Sequence, residues 1–119
     1  MIWNLIKETI KPGTIIQKPK SKKKYHFLGC GVSRGEESFV YELPTNPNTK
    51  RSSKKRIPCS AFNEAYKILL KNGEITKTWF ASAFPKVNAD GGCNFTTLGG
   101  VFQIIKLAEW INAGTYRRL

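Results

Sequence analysis

Two runs of cations are the residues best placed to do chemistry. "KPKSKKK" over 18–24 carries Lys18, Lys20, Lys22, Lys23 and Lys24, and "KRSSKKR" over 50–56 carries Lys50, Arg51, Lys54, Lys55 and Arg56. Ammonium and guanidinium groups at that density bind anions, phosphates above all. These ten are half of the 20 Lys and Arg, which stand against 8 Asp and Glu and leave a net charge of +12 on 119 residues. Such a chain repels itself unless a polyanion or counterions offset the charge, so nucleic acid is the first partner to expect. The plain alternative is a solvated basic surface.

Other chemistries find less material. Metal binding would draw on His26, Cys30, Cys59 and Cys93, but no pair has the two-residue spacing of structural zinc sites. His26 and Cys30, four apart in a strand-like segment, would share a face without indicating a site. The three cysteines read as buried free thiols of a cytoplasmic protein, since no secretory leader opens the chain. With one His and one Asp, no catalytic constellation forms, and "DGGCN" lacks the Gly-Lys-Ser/Thr ending of a phosphate loop. The expectation is a non-enzymatic protein without metal or cofactor. No apolar run approaches the roughly 20 residues of a membrane span.

The elements that must position the cations follow from periodicity. "MIWNLIKETIKPG" puts Ile2, Leu5, Ile6 and Ile10 near one face of a short helix stopped by Pro12 and Gly13. Strands are expected at 13–17, 24–32 and 38–43, forming an antiparallel meander with "SRGEE" as a hairpin loop. "PTNPNTKRSSKKRIP", with three prolines, reads as a long exposed loop. In an up-down-up meander, the connection between the first two strands and the exit from the third lie at one end. The two cationic runs would therefore meet in space.

From residue 60 the period becomes helical. "SAFNEAYKILLKNG" starts at a Ser60 cap, buries Phe62, Tyr66, Leu69 and Leu70, and ends at Gly73. "EITKTWFASAFP" offers Ile75 as an extended residue, Thr76 as an N-cap and Trp79, Phe80, Ala83 and Phe84 as a buried side before Pro85. After the loop "PKVNADGGC", "NFTTLGGVFQIIKLA" runs helically from an Asn94 cap with Phe95, Leu98, Val101, Phe102, Ile105 and Ala108 inward. Gly99 and Gly100 inside it either admit a very close neighbour or mark a break. A strand, a turn at Asn112, Ala113 and Gly114 and a second strand close the chain.

The order helix, extended step, helix, helix and hairpin over 60–119, with its "NGEIT" and "NAGTYR" steps, resembles the winged helix-turn-helix domain. The resemblance implies that the closing ribbon is the wing, with Arg117 and Arg118 against a phosphate backbone. It further implies that Thr96, Thr97, Gln103 and Lys106 point outward from a recognition helix, and that Thr76, Lys77 and Thr78 meet the backbone. Winged helices also serve as protein-interaction modules.

The chain thus reads as one α+β domain. Residues 1–59 supply an N-terminal helix and a small antiparallel sheet with basic loops, packed with a winged-helix-like unit over 60–119. The function expected is nucleic-acid binding, DNA before RNA, by the basic loops and the wing. The competing class is an interaction or ligand-binding module that self-associates through apolar surface on the first helix or around Trp110. A small basic toxin or inhibitor is a third possibility.

Overall fold

Antiparallel pairing organises the first half of the chain in a computed structural model that describes residues 1–44, 48 and 53–119. Helix α1 (Ile2–Thr9) precedes strands β1 (Ile15–Lys18), β2 (Ser21–Ser33), β3 (Glu36–Glu42) and β4 (Lys54–Pro58), which pair in the order β1-β2-β3-β4. The β2–β3 turn is Arg34-Gly35, both with positive φ (52° and 79°), the requirement of a two-residue hairpin turn.

Strand β4 corrects the expected long loop. Lys54 and Arg56 are exposed while Ile57 is buried against Phe39, so the segment alternates as an edge strand does. Pro58 closes β4 at the sheet edge, where a missing N–H costs no ladder bond. Lys22 and Lys23 likewise lie in β2, which starts three residues before the strand expected at 24–32.

The second half begins with α2 (Cys59–Asn72), capped by Gly73 at φ 81°, and continues through β5 (Glu74–Thr76) and α3 (Lys77–Ala83). Ser60 is not the side-chain cap of α2; its backbone N–H is received by the Glu36 carboxylate at 2.8 Å. Pro85 does not end helical structure but starts a further short helix, α4 (Pro85–Asp90), because proline fits the first helical position. Helix α5 (Asn94–Ile104) stops earlier than its apolar repeat suggests. The chain turns through Lys106 at φ 61° before β6 (Ala108–Asn112) and β7 (Thr115–Arg118). These strands and β5 form a second sheet in the order β5-β7-β6. The fold is α+β, with an N-terminal helix and two antiparallel sheets.

Helix α5 runs between the sheets, and its glycines make that possible. A Cβ on Gly99 would fall within the ring of Tyr116 from β7, and one on Gly100 would come 2.7 Å from Ile16 Cγ2 of β1. The glycine pair therefore admits close neighbours, one strand from each sheet. Around it Phe62 of α2 packs against Phe39, Phe102 and Trp3, joining both halves in one buried cluster. Trp3 takes the inward place on α1 that Leu5 was expected to hold; Leu5 is exposed, as are Leu70 and Ala83.

Candidate functional site

Strand β1 alternates strictly: Ile15 and Gln17 face out, Ile16 and Lys18 face in. Lys18 is consequently 8 % exposed, and its Nζ donates to Cys93 O at 3.1 Å, Thr96 Oγ1 at 2.9 Å and Thr97 Oγ1 at 2.5 Å. The same Nζ stands 4.2 Å from the centroid of Tyr25. Burial lowers its pKa from 10.5 to about 8, with the nearby Cys93 thiol acting weakly in the opposite sense. Its position at the N-terminal end of α5 adds a helix dipole of the wrong sign for a cation.

Beside it, Tyr41 Oη donates to Asn94 Oδ1 at 2.5 Å and lies 3.0 Å from Cys93 Sγ, while Asn94 Nδ2 donates to Val87 O at 2.7 Å. Burial holds the Tyr41 hydroxyl protonated far above its ordinary range. Asn94 thus ties α4 and β3 to the start of α5 and is not its side-chain cap.

Lys18 is also the floor of a groove. Pro19 and Lys20, the β1–β2 turn, form one rim, and Lys77 with the β6–β7 turn at Ala113 and Gly114 forms the other. The Lys77 N–H donates to Gly114 O at 2.9 Å, and Gly114 has φ 87°, so the start of α3 and the hairpin tip are joined. Tyr25, Phe95 and Trp110 wall the groove, whose volume is about 410 Å³. Lys20 Nζ lies 5.7 Å from the Trp110 ring.

Beyond Pro19 and Trp110 a second hollow of about 580 Å³ opens over Gln17, Gln103, Glu109 and Tyr116. Gln103 Oε1 accepts the Trp110 N–H at 3.1 Å, which fixes the amide with its nitrogen end unclaimed by that bond.

The remaining cations sort by face. Lys24 pairs with Gln17, His26 with Glu42, Glu42 with Lys54, and Val40 with Arg56, so Lys24, Lys54 and Arg56 share the outer face of the first sheet. Strands β2 and β4 run in the same direction two strand spacings, about 10 Å, apart, with Lys54 level with His26. Of the second cationic run, the described part, Lys54–Arg56, lies in β4, in the same sheet as Lys22, Lys23 and Lys24 of β2. Lys22 and Lys23 are exposed where the β1–β2 register shifts. Lys55 points inward with Tyr41 and donates to Asp90 O at 2.7 Å, and Arg56 donates to Val32 O at 2.9 Å. Lys50 and Arg51 lie outside the described residues.

Several expected contacts are not where the pattern put them. Thr97 is fully buried and Thr96 half-buried, and both hydroxyls receive Lys18, because β1 covers the α5 face that was to point outward. Gln103 and Lys106 are exposed, but Lys106 lies in the turn after α5. Thr76 caps α3 by accepting the Trp79 N–H at 3.1 Å, and Lys77 and Thr78 are exposed beside it. Arg117 and Arg118 sit at the base of the hairpin and not at its tip; Arg117 pairs with Glu109 at 3.3 Å. Cys30 is exposed and Cys59 and Cys93 half-buried, against the expectation of buried thiols. Among the described residues no three His, Cys, Asp or Glu side chains gather as a metal site would need, and no helix is long and apolar enough to cross a membrane.

Pro19, Tyr25 and Phe95 are the site residues that the sequence pattern passed over or assigned to the core, and Trp110 was expected as apolar surface for self-association. The alternation Ile16, Lys18 against Tyr25 was the available signal for the floor. The meeting of the β1–β2 turn with the hairpin tip, roughly 90 residues later in the chain, left none. No protein-family model, curated protein or solved structure matches the chain.

Proposed function

We propose that the chain is a non-enzymatic nucleic-acid-binding protein whose phosphate contacts come from the basic end of the first sheet and from the groove beside it. The observation that carries this reading is the convergence of Lys18, Lys20 and Lys77 on an aromatic-walled groove at the end of the sheet where Lys22, Lys24 and Lys54 stand exposed. Cations spaced along a surface bind a phosphate backbone, and aromatic faces between them give unstacked bases a platform.

The winged-helix-like reading of residues 60–119 rests on the order α2, β5, α3, α5 and hairpin, with the short α4 inserted before α5. Buried α5 cannot enter a major groove, so affinity rests on backbone and on bases outside a duplex. DNA, the nucleic acid expected from the sequence, is proposed before RNA.

Anisotropy titrations with a single-stranded and a duplex oligonucleotide at two salt concentrations test the reading. The expected result is a log–log slope of about −0.7 per neutralised phosphate on the single strand and about −0.9 on the duplex. Undetectable binding at low salt, or self-association that ignores salt, would move the protein to the interaction-module class.

A further inference from the structure

We infer that the two hollows on either side of Trp110 form one site for consecutive unpaired nucleotides, with a base stacked on the Trp110 indole and its phosphates between Lys20 and Lys77. This rests on the nucleic-acid reading above and names the ligand class of its groove. Both hollows border Lys18, Pro19 and Trp110, so Trp110 divides a continuous trough rather than two separate pockets. Each volume, about 410 and about 580 Å³, lies in the range of sites that enclose small organic groups.

The chemistry differs on the two sides. Toward the hairpin tip the ammoniums of Lys20 and Lys77 suit a phosphodiester, and Lys18, whose three N–H bonds are already donated within the protein, adds positive charge beneath them. Toward the base of the hairpin Gln17, Gln103 and Glu109 join Lys18 in the lining, and their side chains carry donors and acceptors of the kind that read a base edge. Trp110 is half-buried with Lys20 Nζ 5.7 Å from its ring centroid, so a phosphate drawn to that ammonium is held next to the indole. A duplex keeps its bases paired and stacked inside and offers nothing to a trough of this kind. An acidic peptide would use the lysines but would leave Trp110 and the Gln17–Gln103 side without a planar partner.

The test compares the wild type with Trp110→Ala, Trp110→Phe and the pair Lys20→Ala/Lys77→Ala, each checked for an unchanged melting transition, on an eight-nucleotide single strand and a duplex of equal length. Trp110→Ala should lower single-strand affinity about tenfold or more, with its salt slope and duplex affinity unchanged, and Trp110→Phe should restore part of the loss. The lysine pair should flatten the salt slope. In the unaltered protein, a 5-bromouracil strand irradiated in place should crosslink to Trp110 or Tyr25, a readout that does not depend on any variant folding. Full single-strand affinity in Trp110→Ala, or crosslinks confined to the outer sheet face, would overturn this site while leaving nucleic-acid binding intact. Salt-insensitive or absent binding by the wild type would remove both.

Discussion

Lys18 shows how one side chain can be assigned to the wrong environment by its neighbours in sequence. It opens a run of five lysines, yet the two-residue period of β1 places it with Ile16, under Tyr25 and against the start of α5. The ammonium is accepted by a carbonyl and two hydroxyls, but its pKa still falls to about 8 because burial outweighs those partners. Between about 8 and the ordinary 10.5 the unfolded chain holds a proton that the folded chain has released. The unfolded state then binds more protons, so raising the pH through this window favours folding, by up to about 3 kcal/mol in total. Tyr41 and Tyr116 act oppositely: burial raises both, Tyr116 to about 12, so stability falls above the ordinary 10 as the unfolded tyrosines ionise first. The exposed Cys30 and half-buried Cys59 thiols, also raised, work in the same direction as the tyrosines from their ordinary 9 upward. Lys18→Met keeps the length and removes the titration. Urea unfolding from pH 7 to 10 should show a wild-type-minus-variant stability that climbs with pH; parallel curves would mean that Lys18 keeps its proton.

At the scale of elements, the positions that could be read were those whose pattern and punctuation agree. Helix α1, the first three strands, α2 with Gly73, Thr76 as the cap of α3 and the closing hairpin all follow from periodicity and turn residues. Strand β4 was hidden because its charges and prolines mimic a loop, although Ile57 is fully buried. Helix α4 was hidden because Pro85 can end one helix and begin the next. The site was less legible than the fold. Its lysines are visible in sequence, but which of them are buried, tied to a carbonyl or free depends on faces that only the assembled sheets define. The glycines of α5 give the sharpest element-scale expectation. Gly99→Ala raises helix propensity by about 1 kcal/mol but drives a methyl into the Tyr116 ring, so overpacking of about 1–3 kcal/mol should win. Chemical denaturation should show net destabilisation, and Gly99→Ala combined with Tyr116→Leu should recover part of it. A more stable single variant would mean that β7 yields easily and that α5 is not held between the sheets.

At the scale of the molecule, the large net charge of +12 is offset by few ion pairs. Among the described residues the ion pairs are Lys7–Glu37, Arg34–Asp90, Lys67–Glu64 and Arg117–Glu109, all partly exposed and worth little individually. None uses a lysine from 20–24 or a cation of β4, so these cations of the first sheet have no ion pair among the described residues. Like charges held there destabilise the folded state until an anion arrives. Lys22→Gln with Lys24→Gln, and separately Lys54→Gln, change only exposed side chains for which the structure gives no side-chain hydrogen bond or ion pair. Both should leave the melting temperature in low salt unchanged or slightly higher. Adding an inorganic polyphosphate should raise the wild-type melting temperature more than that of either variant, since binding to the folded state alone stabilises it by mass action. The same variants should flatten the salt dependence of duplex binding by about 0.9 for each phosphate they no longer neutralise. Lys55, which is bonded to Asp90 O, is the internal control: Lys55→Gln should cost stability where α4 meets β4 and leave the slope as it was. Equal polyphosphate shifts in all four proteins would show that these cations are only solvated, and the net charge would then have no bearing on a partner.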